Sequence, residues 1–206
     1  MGGGVTEDDA PMVDAVFDAA GKTLPAEHAF GLWRATVRWL PWLEGEARAG
    51  IHRLRTAPTG YGVALLARRA KLALRVPESR FGDTMALSGK TLDVDGSLLT
   101  IGAGVARPLR PWTTLHAQQV AAGAGGEAAF QHEVAAWLQS RGVACQFITG
   151  RRQTVTAGMR EIAGFSVVLH GLTPAGSLRM QSEGMGSDRA LGCGIFVPYK
   201  SIAAVA

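Results

Sequence analysis

Gly184-Met-Gly186-Ser-Asp-Arg189-Ala-Leu-Gly192-Cys-Gly194 places four glycines around one arginine. Glycine reaches positive φ at no steric cost and lets a phosphate approach main-chain N–H groups, and an arginine can add a bidentate contact. The stretch therefore reads as an anion cradle, or else as a tight connection between a helix and a strand. It continues through Ile195-Phe-Val-Pro-Tyr to Lys200. Bases cluster twice more, at Arg68, Arg69, Lys71 and Arg75 and at Arg151 and Arg152. Lys71 and Arg75 alternate with Leu72 and Leu74 and so share one face of a strand, where they could meet phosphates or simply be solvated. A formal charge of +4 and a pI near 9.5 favour an anionic partner.

The five histidines are the side chains whose ordinary pKa suits proton transfer near neutral pH. His28 opens a helix within Pro25-Ala-Glu-His28, where capping or packing competes with chemistry, and His52 starts a strand with Arg53 and Arg55 beside it. His116, His132 and His170 lie in the second half. Arg34 and Arg38 stand one turn apart on the first helix. No carboxylate cluster shows metal-ligand spacing, and Cys145 and Cys193 form no CxxC pair, so neither a metal nor another cofactor is expected. No apolar run approaches the roughly 20 residues of a membrane helix, and Met1 to Ala20 carries Glu7, Asp8, Asp9 and Asp14 in place of a basic leader. A cytoplasmic protein without membrane partners is expected; Gly2-Gly3-Gly4 are left out of the fold reading.

The elements that must hold these residues follow from periodicity. Met12 to Phe17 suits a strand, and Ala26 to Leu40 suits a helix with Phe30, Trp33, Val37 and Leu40 at helical spacing. Strands are expected at 51–55, 61–66 and 71–76, a short helix near 78–87, and strands near 92–95 and 98–102. Val105 to Pro111, with two prolines, reads as an extended connector. The order then repeats: a strand at 113–120, a helix at 125–142, strands at 143–148, 154–156 and 165–169, a helix at 174–181, and a last strand at 195–198. Two β-α-β-β-α-β units give an α+β chain of tandem ferredoxin-like (RRM-like) domains with antiparallel sheets, residues 1–104 and 112–206, joined by 105–111. An open sheet face of this kind suits single-stranded RNA.

The glycine-rich loop running into Gly192-Cys-Gly194-Ile-Phe-Val-Pro-Tyr-Lys200 resembles the C-terminal signature of the CRISPR-associated Cas-six family of RNA-processing endoribonucleases. Thr23-Leu-Pro-Ala-Glu-His28, Leu40-Pro-Trp-Leu43, Gly50-Ile-His-Arg-Leu54, Ser88-Gly-Lys-Thr-Leu-Asp93 and Gly150-Arg-Arg-Gln-Thr154 resemble the roughly 200-residue myxobacterial-type members. The resemblance implies metal-independent cleavage of CRISPR repeat RNA by a ribose 2′-OH, leaving a 2′,3′-cyclic phosphate. It further implies retention of the crRNA with other subunits of a type I effector complex. By the family's placement of its histidine near the first helix, His52 leads as general acid-base, His28 follows, and Arg34 could face the scissile phosphate. Arg68, Arg69, Lys71, Arg75, Arg151, Arg152, Gly184, Gly186, Arg189, Gly192, Gly194 and Lys200 are then the expected RNA contacts. Family members commonly carry Leu-His just after that helix, whereas Leu43 here precedes Glu44. This departure keeps open a crRNA-holding subunit that does not cut. A backbone or capping subunit is a third reading.

Overall fold

The computed structural model describes residues 10–200; Gly2 to Gly4 and the acids Glu7 to Asp9 lie outside them. The chain divides into two compact units, residues 1–109 with 156–158 and residues 110–155 with 159–206. No helix among the described residues is long and apolar enough to cross a membrane.

The first unit runs β1 (Met12–Ala20), β2 (Thr23–Pro25), α1 (Ala29–Val37), β3 (Gly50–Ile51), β4 (Thr56–Pro58), β5 (Val63–Leu66), β6 (Lys71–Pro77), α2 (Phe81–Thr84), β7 (Thr91–Val94) and β8 (Ser97–Pro108). Its main sheet has the order β3-β6-β1-β8-β7 with antiparallel neighbours. Without the edge strand β7 this is the ferredoxin-like arrangement. Strict alternation explains it: Val13, Ala15, Phe17 and Ala19 of β1 enter the core with Leu72, Leu74 and Val76 of β6 and Leu99 and Ile101 of β8. The expected four-stranded sheet thus gains a fifth strand, and β2, β5 and β4 form a separate three-stranded sheet.

Helix α1 is rotated from its expected face. Leu32, Ala35 and Thr36 are its deeply buried residues, with Trp33 and Val37 only half-buried. The cause is a close approach at Gly31, where a Cβ would lie 2.1 Å from Asp95 Oδ2 in the β7–β8 turn. Small residues let the helix settle onto that turn. The expected connector 105–111 begins as strand instead. Val105, Arg107 and Pro108 pair with Val16, Asp14 and Val13, so β1 extends β8 to Pro108, where a missing N–H is tolerated at the strand's end.

The second unit runs β9 (Thr114–Ala121), α3 (Glu127–Ser140), β10 (Gln146–Ala157), β11 (Arg160–His170), α4 (Pro174–Glu183) and β12 (Val197–Pro198), in the sheet order β10-β11-β9-β12. It repeats the ferredoxin-like order. The strands expected at 143–148 and 154–156 are one strand, β10. Phe130, Val134 and Leu138 of α3 pack with Val120, Phe165, Val167 and Leu169 of the sheet. The Thr173 hydroxyl accepts from the Gly176 N–H at 3.1 Å and Pro174 opens the helix, which together fix where α4 begins.

Candidate active site

Ile51 points into the core, so the next residue, His52, projects from the opposite face of the sheet. There its Nε2 donates to Asp14 Oδ1 at 3.2 Å. Arg75 grips the same carboxylate from β6, Nε to Oδ1 at 2.8 Å and Nη2 to Oδ2 at 3.1 Å. Burial alone would raise the Asp14 carboxyl. The hydrogen bond and charge of His52, with the charge and hydrogen bonds of Arg75, outweigh it and hold Asp14 well below the usual carboxylate range. Arg75 is fully buried. The expectation that it meets RNA phosphates gives way to a structural ion pair, because the alternation that put Arg75 beside Lys71 also put it opposite Asp14.

His28 precedes α1 and is buried, but its side chain does not cap the helix. Its Nδ1 lies 3.0 Å from the Pro25 carbonyl oxygen. A carbonyl can only accept, so Nδ1 carries the proton and Nε2 is left with its lone pair. Burial lowers the pKa and the charge of Arg53 lowers it further; together they outweigh the Pro25 and Ala26 carbonyls and the Glu27 charge, so the net shift is downward. A lowered pKa favours the neutral imidazole, and in that form the Pro25 bond leaves Nε2 as the basic nitrogen. These are the attributes of a general base.

The remaining candidates spread across both units. Arg34 is exposed on α1, with Nη1 3.9 Å from Asp95 Oδ1 and its guanidinium 5.9 Å from the Phe30 ring centroid. Arg38 is exposed one turn on. Arg68 and Arg69 are exposed in the β5–β6 turn, and Lys71 pairs with Asp18 at the surface. Arg151 and Arg152 are exposed on β10, and Lys200 is exposed beyond β12. His116 stands 5.3 Å from the Tyr199 ring, its pKa lowered by burial. The Nδ1 of His132 donates to the Ala128 carbonyl on α3, and His170 is half-buried at the end of β11.

The glycine-rich loop is closed on itself. The N–H groups of Gly184, Gly192 and Gly194 donate to the carbonyls of Met180, Arg189 and Gln119. Those three glycines are buried, whereas Gly186 is exposed. A Cβ on Gly184 would fall 1.8 Å from Arg189 Nη1, and one on Gly194 1.9 Å from the Met185 carbonyl oxygen. Arg189 is itself buried and donates to the Glu183 and Ser182 carbonyls at the C-terminal end of α4. Of the donors expected to cradle an anion, the N–H groups of Gly184, Gly192 and Gly194 and the Arg189 guanidinium serve carbonyls of the protein in this structure.

Sequence reasoning passed over Asp14, read only as one acid among several, and Arg53, noted only as a neighbour of His52. For Asp14 a signal was present, since an acid in an otherwise apolar strand calls for a partner.

A family model described as Cas6 Crispr matches residues 13–201. The chain is 34% identical over 187 residues to the CRISPR-associated endonuclease Cas6 of Myxococcus xanthus (strain DK1622), an alignment spanning 90% of this chain and 81% of that protein. Among solved structures, a CRISPR associated protein Cas6 is similar with a TM-score of 0.63 at 9% identity, covering 93% of this chain and 100% of that one. Thermus thermophilus Cse3 bound to an RNA representing a pre-cleavage complex is similar with a TM-score of 0.53 at 12% identity, covering 91% of this chain and 98% of that one. With its tandem ferredoxin-like units and a family match along almost its whole length, the chain belongs to the Cas6 family of CRISPR-associated endonucleases.

Proposed function

We propose that the protein binds CRISPR repeat RNA and cuts it with His28 as general base, without a metal ion. The observation that carries the assignment of the base is the Nδ1–Pro25 hydrogen bond, which leaves Nε2 unprotonated. In the proposed step Nε2 takes the proton of a ribose 2′-OH and the 2′-oxygen bonds to the adjacent phosphorus. The bond from phosphorus to the 5′-oxygen breaks, that oxygen leaves with a proton from solvent, and a 2′,3′-cyclic phosphate and a 5′-OH remain. Arg53, whose charge already acts on His28, supports the charged phosphorane, while Arg34 and the exposed bases Arg68, Arg69, Lys71, Arg151, Arg152 and Lys200 hold the strand. His52 serves differently: with Asp14 and Arg75 it ties β3 to β1 and β6.

The experiment is single-turnover cleavage of labelled repeat RNA in excess EDTA by wild type, His28→Ala and His52→Ala. Wild type should cut once. His28→Ala should lose about 10²–10⁴-fold in rate with little change in affinity. The lowered His28 pKa keeps its base form present below the ordinary histidine value, so the acid limb of the pH–rate profile should fall below about pH 6.5. Undiminished cleavage by His28→Ala would remove it as the base.

A second reading rests on Glu44 following Leu43 where the family pattern leads one to expect histidine, and on the Asp14 bond that occupies His52 Nε2. In that reading the protein holds crRNA within a type I effector complex and does not cut. Repeat RNA bound tightly but left whole by wild type would establish it.

A further inference from the structure

The three-stranded sheet has an outward face that no role above uses except at its Arg68–Arg69 end. Register and alternation assign Thr23 and Pro25 of β2, Val63 and Leu65 of β5, and Ala57 of β4 to one side, with Leu24 and Ala64 turned inward and buried. Val63 is 38% exposed and Leu65 51%. At one end the β4–β5 loop lifts Tyr61 between Gly60 and Gly62, both at positive φ, and leaves it 90% exposed. At the other end Arg55 lies two residues before Ala57 and so on the same side, and the exposed Arg68 and Arg69 follow in the turn. Among the described residues none of these three arginines makes an ion pair. The acid Glu27 adjoins the opposite, Tyr61 end, since Ala26 N–H donates to the Gly62 carbonyl.

An exposed aromatic, a strip of aliphatic surface and a cluster of uncompensated guanidiniums in one line form a stacking platform with an electrostatic track. From Tyr61 to Arg68 the line spans about 20 Å at ~3.3 Å per residue, enough for a few nucleotides. A protein partner would accept the aliphatic strip, but the charge at its end is complementary to a polyanion. We propose that this face binds a single-stranded segment of the repeat RNA, with a base stacked on Tyr61 and backbone phosphates running past Leu65 to Arg55, Arg68 and Arg69. The proposal rests on the reading that repeat RNA is the substrate and adds where its unpaired part lies.

The test measures affinity for labelled repeat RNA across a salt series, together with single-turnover cleavage of the same RNA. The proteins are wild type, Tyr61→Ala, Tyr61→Phe and the triple variant Arg55→Ala/Arg68→Ala/Arg69→Ala. Tyr61→Ala should weaken binding about tenfold or more and Tyr61→Phe should restore it, because stacking needs the ring and not the hydroxyl. The triple variant should flatten the slope of log affinity against log salt by about 2, at ~0.7 per phosphate contact on a single strand. Exposure of all four side chains should leave the melting temperature unchanged in every variant. Wild-type affinity in Tyr61→Ala, with an unaltered salt slope in the triple variant and cleavage intact, overturns the platform and the strand-holding role of Arg68 and Arg69, while the cleavage reading stands and a protein-docking face is left. A wild-type protein that binds no repeat RNA overturns this proposal together with the reading beneath it.

Discussion

The C-terminal loop 184–194 and the β4–β5 hairpin are both written in glycine and arginine, yet they face opposite ways. In the loop, Gly184 and Gly194 are buried against the Arg189 guanidinium and the Met185 carbonyl, and Arg189 caps α4. In the hairpin, nothing lies within 4 Å of a Cβ on Gly60 or Gly62, and the arginines beyond it are solvent-facing. Composition alone does not separate an anion site from a packed turn. What separates them is whether the backbone N–H groups already have protein acceptors.

The contrast breaks most directly at the glycines. Gly194→Ala puts a methyl group 1.9 Å from the Met185 carbonyl oxygen at φ +65, and should cost at least ~3 kcal/mol in denaturant unfolding. Gly60→Ala meets only the positive-φ cost and should lose about 1 kcal/mol. Equal losses would mean that the loop is as open as the hairpin. Arginine substitutions form the second pair. Arg189→Ala strips charged donors from two helix-end carbonyls and should cost about 2 kcal/mol, whereas Arg69→Ala should stay within ~0.5 kcal/mol and show its effect only on RNA.

The acid limb of stability gives the smallest and most graded test. Asp14 titrates below its ordinary value in the fold, so its contribution is complete above about pH 4 and is lost as pH falls through the folded value. Asp14→Asn should be less stable than wild type at pH 7, and the gap should narrow progressively below about pH 4. A gap independent of pH would mean that the carboxylate's charge does not matter to Arg75 and His52.

The architecture was readable because both units obey simple periodicities: two in β1 and β6, and near four in α3, where Phe130, Val134 and Leu138 line one face. The short strands were not. β3 is two residues long, and β4 has three residues ending at Pro58, lengths at which alternation carries no signal. The rotation of α1 was hidden because it depends on Gly31 meeting Asp95, a contact between segments far apart in sequence. The site split along the same line. Histidines and bases could be found by type, but Arg75 and Arg189 were read as outward because nothing local says that a charge has a buried partner waiting. The preference for His52 over His28 likewise rested on position, while the choice made here turns on a backbone carbonyl three residues before His28.

The β7–β8 turn has the look of a surface hairpin open to alteration, with Asp95 and Gly96 both exposed. The fit of Asp95 against Gly31 makes it a stop for α1. An epitope, a fluorophore linker or a split site placed there would disturb the seat of α1 at Gly31, one turn from His28. Labels for following the protein on RNA belong on the exposed outer side of α3 instead, at Ala135, and not at Gln131, whose side chain bonds Thr149 of β10.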